Sequence, residues 1–415
     1  MQISDTIRAL TAEAERALTE QFRAIDEVAM ANTEHVLDVF RAHRVSEAMF
    51  APSTGYGYGD MGRDTADRIA ADLFRAEAGF VRTAVISGTH ALTVGLFALL
   101  RPGDTLLSVT GAPYDTLREV IGMDGKNGDG SLADFGVAYG EVPMTSSGTV
   151  DLPAVREALL ANPAVKVVFL QRSKGYLDRR TLSVREIGDV VRLVKSLSKD
   201  IFVMVDNCYG EFTETVEPTA LGADLMVGSL IKNPGGGMAD TGGYLCGTAR
   251  AVELAGYRLS SPGVGIEAGA SLGQTRNILK GFFYAPHTVA EALKTATLAA
   301  YLFDKLGYGV NPGPFEERHD IIQTIRCGSA EGLIRFCRGI QSASPIDSHV
   351  TPEPWAMPGY ADPVIMAAGA FTGGSSIELS ADGPVRPPYI AYLQGGLTYE
   401  SGRLGIMRAA DEMLR

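Results

Sequence analysis

The sequence predicts an α/β fold, a mostly parallel sheet covered by helices, with a smaller C-terminal α+β domain. Two observations carry this. Short apolar runs at 105–109, 165–170, 201–205 and 225–227 alternate with helical stretches, and near-continuous apolar strands are the mark of a parallel sheet buried on both faces. Past about residue 289 a long helical stretch leads into a region richer in Pro and Gly, which reads as a separate unit. The expected division is 1–50 as a helical arm, 51–290 as the large domain and 291–415 as the C-terminal domain.

In chain order, Ile7, Leu10, Ala14, Leu18, Phe22, Ile25, Val28 and Met30 recur at intervals of mostly three or four. The spacing predicts one amphipathic helix over 5–43, lying either across a partner or on its own domain. A Gly/Tyr loop at 53–62 precedes a helix at 63–74. Further strands are expected at 82–86, 137–142 and 244–246, with helices at 90–100, 116–121, 152–161 and 184–198. Beyond them the pattern gives a helix at 289–306 and strands at 364–368, 376–379 and 389–392.

The 415 residues carry 37 Lys+Arg against 49 Asp+Glu, a net charge of −12. A surface of that sign repels phosphate backbones and argues against nucleic-acid binding. Cys208, Cys246, Cys327 and Cys337 are too scattered for a zinc spacing or a disulfide framework, so buried, reduced thiols and no metal are expected. The start of the chain lacks the basic region and apolar core of a signal peptide. No stretch approaches the ~18 apolar residues of a membrane span. The expected compartment is the cytoplasm.

The chemistry centres on Lys232, in a loop running Ser229-Leu230-Ile231-Lys232-Asn233-Pro234 and then Gly235-Gly236-Gly237, just after an apolar strand. Asp206 closes an earlier strand of Ile201, Val203 and Val205. A lysine that condenses with an aldehyde and a carboxylate that keeps a pyridine nitrogen protonated are what pyridoxal 5'-phosphate requires. Ser87, Gly88 and Thr89 stand between a strand and an apolar helix, where free N–H groups and hydroxyls make a phosphate site. Ser229 adds a donor to that site. Tyr114 follows another strand, placed to stack on the cofactor ring and to act as an acid or base if its pKa is lowered. Cys208 and Tyr209 read as packing residues. Arg386 and Arg403 compete for the carboxylate of an amino-acid substrate, and Arg386, held among prolines and glycines, is preferred. The loop Gly55-Tyr56-Gly57-Tyr58-Gly59-Asp60-Met61-Gly62-Arg63 is not inside a βαβ unit, so its glycines are not a dinucleotide fingerprint. It reads as an aromatic loop at a subunit contact, with Tyr56 toward substrate and Tyr58 and Arg63 toward a neighbour's phosphate.

In their order, the Tyr-rich loop, Ser-Gly-Thr-His, Pro-Tyr-Asp, Val-Asp-Asn-x-Tyr and Ser-Leu-Ile-Lys-Asn resemble the cystathionine β/γ-lyase and methionine γ-lyase group, closest to its aluminium-resistance branch. The resemblance implies the fold type I of pyridoxal-phosphate enzymes and a homotetramer whose active sites are shared between subunits. It assigns Lys232 to the cofactor aldehyde, Asp206 to the pyridine nitrogen, Tyr114 to stacking, and Ser87, Gly88, Thr89 and Ser229 to the phosphate. Two positions depart from the better-known lyases: Ile231 replaces a hydroxyl residue before the lysine, and Asp60 replaces an arginine two positions after Tyr58. The reaction expected is β- or γ-elimination, or replacement, on an amino acid with a sulfur, oxygen or halide leaving group. The alternatives are an aminotransferase, aldolase or decarboxylase on the same fold, or a non-catalytic stress or metal-tolerance protein.

Overall fold

In the computed structural model, residues 3–124 and 127–414 are described. The chain opens with helices α1 (Asp5–Ala17), α2 (Thr19–Ala42) and α3 (Met61–Leu73). The large domain follows as β1 (Ala78–Arg82), α4 (Gly88–Leu99), β2 (Thr105–Ser108), α5 (Asp115–Ile121), β3 (Ala138–Glu141), α6 (Leu152–Ala161), β4 (Val165–Gln171), α7 (Val184–Leu197), β5 (Phe202–Asp206), β6 (Leu225–Ser229), β7 (Gly243–Gly247) and α8 (Ala249–Leu259). The 31-residue α9 (Thr275–Lys305) leads to β8 (Gly309–Asn311), β9 (Gln323–Arg326), α10 (Ala330–Gln341), β10 (Val364–Ala367), β11 (Ser380–Pro384), β12 (Ile390–Gln394) and α11 (Tyr399–Met413).

Seven strands form the main sheet in the order β1-β7-β6-β5-β4-β2-β3. The pairings among β6, β5, β4, β2 and β3 are parallel, whereas β7 runs antiparallel to both β1 and β6. Side chains alternate across this sheet. Leu106, Phe169 and Met204 pack with α4 and α8 on one face, while Leu107, Val168 and Val203 pack with α6 and α7 on the other. This double covering is why the strands read as unbroken apolar runs. A second, antiparallel sheet in the order β10-β11-β12-β9-β8 packs with α10 and α11.

The N-terminal segment is two helices rather than one, interrupted at Leu18, whose backbone leaves helical geometry at φ −95° and ψ 9°. Leu18 is fully buried together with Ile7 and Ala14 against Phe336 and Ile406, whereas α2 sends Val36 and Val39 into the core beside Phe74 and Phe282. The bend lets one segment serve two cores of its own chain. The first strand lies at Ala78–Arg82 and not at 82–86, since Ile86 is left largely exposed at the edge of the cavity described below. Helix α9 begins at Thr275, well before the expected 289, and runs through Pro286. Pro286 ordinarily weakens a helix, but tertiary burial of Ile278, Leu279, Phe282, Ala285 and Val289 overrides that preference. The expected strand at 376–379 is instead a loop held by Glu378, whose carboxylate accepts from the N–H groups of Phe371 (2.8 Å) and Thr372 (2.9 Å). Strand β11 starts one residue later, at Ser380.

Two glycines fix backbone that the site depends on. Gly57 has φ +63°, and a Cβ there would lie 2.8 Å from Ala270 Cα, so glycine serves a close backbone approach in the Tyr loop. A Cβ on Gly235 would fall 1.7 Å from the Leu230 carbonyl oxygen, inside the loop that carries Lys232. Replacing Gly235 with Ala is expected to lower unfolding free energy by about 1–3 kcal/mol through overpacking, read as a drop in thermal midpoint together with weaker cofactor retention. An unchanged midpoint would contradict this packing of the loop.

Candidate active site

The C-terminal ends of the parallel strands open into a cavity of about 540 Å³, closed on its far side by residues of the second sheet. Open α/β sheets place ligands at this edge because helix N-termini and strand-end loops converge there. Ser87, Gly88, Thr89, Tyr114, Asp206, Ser229 and Lys232 all line it.

The phosphate-type end is built on α4. Ser87 caps that helix, its Oγ accepting from the His90 N–H at 3.0 Å. Thr89 Oγ1 is bonded to the Tyr114 hydroxyl (2.8 Å) and to Thr116 Oγ1 (3.1 Å). The Tyr114 segment is held by its backbone N–H, which donates to Gln171 Oε1 at 3.0 Å. Burial and the nearby Asp206 push the Tyr114 phenol up, the reverse of the lowering that a basic role calls for. Tyr114 therefore keeps its proton and is a donor.

At the other end, Asp206 is buried, with Oδ1 accepting from the Cys208 N–H at 3.1 Å. Desolvation raises its pKa, and Lys232 pulls in the opposite direction. The strand end is braced by Arg172, whose backbone N–H donates to the Asp206 carbonyl (3.0 Å) and whose Nη1 donates to Asn207 Oδ1 (2.8 Å). Arg172 itself is fully buried and neutralised by Glu214 and Glu217.

Lys232 follows β6 and its Nζ lies 3.9 Å from the ring centroid of Tyr209. Burial disfavours its charge, but Cys208, Tyr209 and Asp206 outweigh burial and hold the amine protonated. The ring contact adds a cation–π attraction. Cys208 and Tyr209 therefore line the site rather than merely filling the core. Tyr209 and Phe212 adopt left-handed φ values of +74° and +61°, a strain tolerated when neighbouring contacts fix the backbone. No sequence signal announced it.

Other expected residues lie elsewhere. Tyr56 and Tyr58 stack on each other on the surface at 5.7 Å and are 77% and 64% exposed. Arg63 is buried in its own chain, with Nη1 donating to the carbonyls of Gly57 (2.6 Å) and Gly269 (2.9 Å). These bonds tie Arg63 to the loop of its own chain. Asp60, standing where an arginine was expected, caps α3 by accepting from the Arg63 N–H at 2.8 Å. Arg386 sits in an adjoining cleft with Tyr114, Asp115, Tyr176 and Tyr360, paired with Asp362 at 2.8 Å. Arg403 pairs with Glu15 at 2.6 Å. Neither arginine lines the main cavity. The sequence reading missed the opposite wall, formed by Tyr360, Met366, Gly373, Gly374, Ser376 and Asp382.

The residues present fit pyridoxal 5'-phosphate. Asp206 is a buried carboxylate with room for a cationic partner beside it, which a protonated pyridine nitrogen supplies. A Cβ on Gly88 would come within 3.3 Å of Cys208 Sγ and 3.9 Å of Lys232 Nζ, so the absent side chain keeps space open between α4 and the amine. The four cysteines are free and buried, and among the described residues no cluster of three metal-ligating side chains occurs. Among the described residues no helix is long and apolar enough to cross a membrane.

Comparison with known proteins agrees with this chemistry. The family model for methionine gamma-lyase matches residues 7–414. The YnbB protein of Bacillus subtilis is 51% identical over 403 residues, covering 97% of this chain and 95% of YnbB. A carbon-sulfur lyase involved in aluminum resistance from Clostridium novyi superimposes with a TM-score of 0.95 at 48% identity, covering 99% of this chain and 96% of that one. The pyridoxal-5'-phosphate dependent protein YhfS of Escherichia coli, at 17% identity and TM-score 0.63 over 93% of this chain and 96% of its own, shares the fold. The fold is that of the fold type I enzymes and the cofactor is pyridoxal 5'-phosphate. The chain belongs to the methionine gamma-lyase family of pyridoxal 5'-phosphate-dependent carbon–sulfur lyases.

Proposed function

We infer that this enzyme eliminates a β or γ substituent, with sulfur as the first choice of leaving atom, from the side chain of an amino acid. The observation that carries the reading is the placement of Lys232 and Asp206 in one enclosed cavity with the N-terminus of α4. When bound, the cofactor supplies an electron sink for the pair released at Cα. Ser87, Gly88, Thr89 and Ser229 hold its phosphate, and Asp206 holds its ring nitrogen protonated. With the cationic cofactor in place to lower its pKa, Lys232 Nζ in its neutral form would take the proton from Cα, and a second proton transfer at Cβ would allow loss of a γ substituent. Tyr114, which retains its phenolic proton, would donate a hydrogen bond to the departing heteroatom, and the ammonium formed on Lys232 would supply the proton that atom takes up. The Tyr209 ring against Lys232 limits where the amine travels.

The subunit arrangement belongs to the same reading. We take the chain to assemble as a homotetramer, supported by the exposed Tyr56–Tyr58 pair and by Ile86 and Leu272, apolar side chains 74% and 63% exposed. Single exposed apolar residues are ordinary, but an exposed stacked aromatic pair suits a subunit contact. Arg386, in the adjoining cleft, remains the preferred arginine for the substrate carboxylate, reached if Asp362 gives way to that carboxylate.

A panel of amino acids bearing thioether, O-acyl and halide side chains separates the possible reactions. Elimination is expected to release ammonia and a keto acid in equal amounts from at least one thioether substrate. Amino transfer to an added keto acid without free ammonia would point to an aminotransferase and overturn the reading.

A further inference from the structure

The charged groups lining the cavity are Lys232 and three carboxylates, Asp115, Asp206 and Asp382. Lys232 and Asp206 are committed to the cofactor in the reading above, on which this inference rests. What remains for a substrate side chain is Asp115 on α5 and, on the second-sheet side, Asp382 with the neighbouring Ser376. Two polar atoms on that side have no hydrogen-bond partner. Ser376 is only 5% exposed and its Oγ is unpartnered. Asp382 Oδ1 is likewise shielded and without a hydrogen-bond partner, while the carboxylate is otherwise held by Gln394 Nε2, which donates to Oδ2 at 3.3 Å, and by the Tyr176 phenol.

Buried polar atoms are nearly always satisfied, so two orphans on one cavity wall call for a ligand that satisfies both. An ionised carboxylate only accepts hydrogen bonds, and a serine hydroxyl can accept as well. The missing group must therefore be a donor with more than one N–H, and its charge must suit a site rich in carboxylates. A primary ammonium meets all three conditions. The α-amino group of the substrate is taken up by the cofactor, so the ammonium belongs to the side chain. We propose that Asp382 and Ser376 form the specificity site for a terminal ammonium on the leaving group, and that the preferred substrates are aminoalkyl thioethers of an amino acid.

Supporting this, burial raises the Asp382 carboxyl to about 7, against the opposing pull of Tyr176, Gln394 and Lys232. The phenols of Tyr209, Tyr360 and Tyr392 and the Cys337 thiol also feel its charge. Because the folded pKa is raised, Asp382 is neutral below pH 7 and charged above it. Preference for a cationic side chain therefore grows as pH rises from 6 to 8.

The test uses the holoenzyme with S-(2-aminoethyl)-L-cysteine and its neutral isostere S-(2-hydroxyethyl)-L-cysteine. Two readouts are taken: kcat/KM for keto-acid release, and Kd from perturbation of the visible absorbance of the bound cofactor. At pH 8 the wild type is expected to favour the aminoethyl compound by at least about tenfold in both readouts, the scale set by a buried polar group left unpaired. Asp382→Asn, which keeps the shape of the side chain, is expected to bring the ratio close to one. Ser376→Ala is expected to lower it by about threefold, the smaller share of a neutral acceptor. Equal or reversed preference in the wild type, or a preference that survives Asp382→Asn, overturns the proposal. If neither compound is turned over, the elimination reading fails on its own, and the ratio of Kd values still decides the role of Asp382.

Discussion

Lys232→Ala is expected to lose the visible absorbance of the loaded enzyme and to lower kcat by about 10⁴-fold, the upper range for a positioned proton-transferring group. The variant removes both the amine that condenses with the cofactor and the base that takes the Cα proton. Its fold should survive. Lys232 is half-buried with its Nζ over the Tyr209 ring, and alanine leaves the α4 cradle and the Gly235 turn untouched. Comparison of circular dichroism and cofactor absorbance separates loss of chemistry from loss of structure. A variant that keeps its colour and its rate would show that another amine does the work.

Asp206→Ala is expected to retain folding but to weaken cofactor binding and to lower kcat by about 10³-fold, similar to the loss of a preorganised electrostatic contact in a dry site. The argument is one of pairing. A carboxylate at a buried strand end, held by the Cys208 N–H and thiol, is costly unless a cation faces it. Once the ring nitrogen is that cation, the pair draws electrons from Cα. Without Asp206 the nitrogen loses its proton and the electron sink weakens. The discriminating measurement is solvent exchange of the α proton, which should slow in step with turnover. Exchange at the wild-type rate would contradict the role given to Asp206.

The large domain was legible in the sequence because its strands are buried on both faces and so carry unbroken apolar runs, as at Val165–Gln171 and Phe202–Asp206. The cavity was legible in part, since Asp206 and Ser229 end strands β5 and β6 while Ser87, Tyr114 and Lys232 stand in the loops that follow β1, β2 and β6, and all five line it. The second sheet was harder. Its strands β8 and β9 are only three and four residues long, and α11 carries Gly402 and Gly405, which weaken a helical pattern while permitting close approach to Thr295 and Leu379. The substrate wall was hidden for a different reason. Asp382 lies only four positions before Arg386, but β11 ends at Pro384, so Arg386 falls beyond the strand while Asp382 is held within it opposite Tyr392. The sequence pattern did not show where that strand stops, and one residue of slip would turn Asp382 to the other face. The Tyr loop gave no sign in its spacing that Arg63 would donate to the carbonyls of Gly57 and the distant Gly269, because that approach is set by tertiary packing.

Two lysines offer a direct choice. Lys174 is buried and its Nζ donates to the Asn311 carbonyl at 3.2 Å, with desolvation lowering its pKa, whereas Lys232 is half-buried. Lys232 alone of the two opens into the cavity with Asp206. Borohydride reduction of the coloured enzyme, followed by peptide mass mapping, reads which amine carries the cofactor. A single reduced adduct on the peptide containing Lys232 is predicted; an adduct on Lys174 or any other lysine, or none at all, would contradict the assignment of this cavity as the active site.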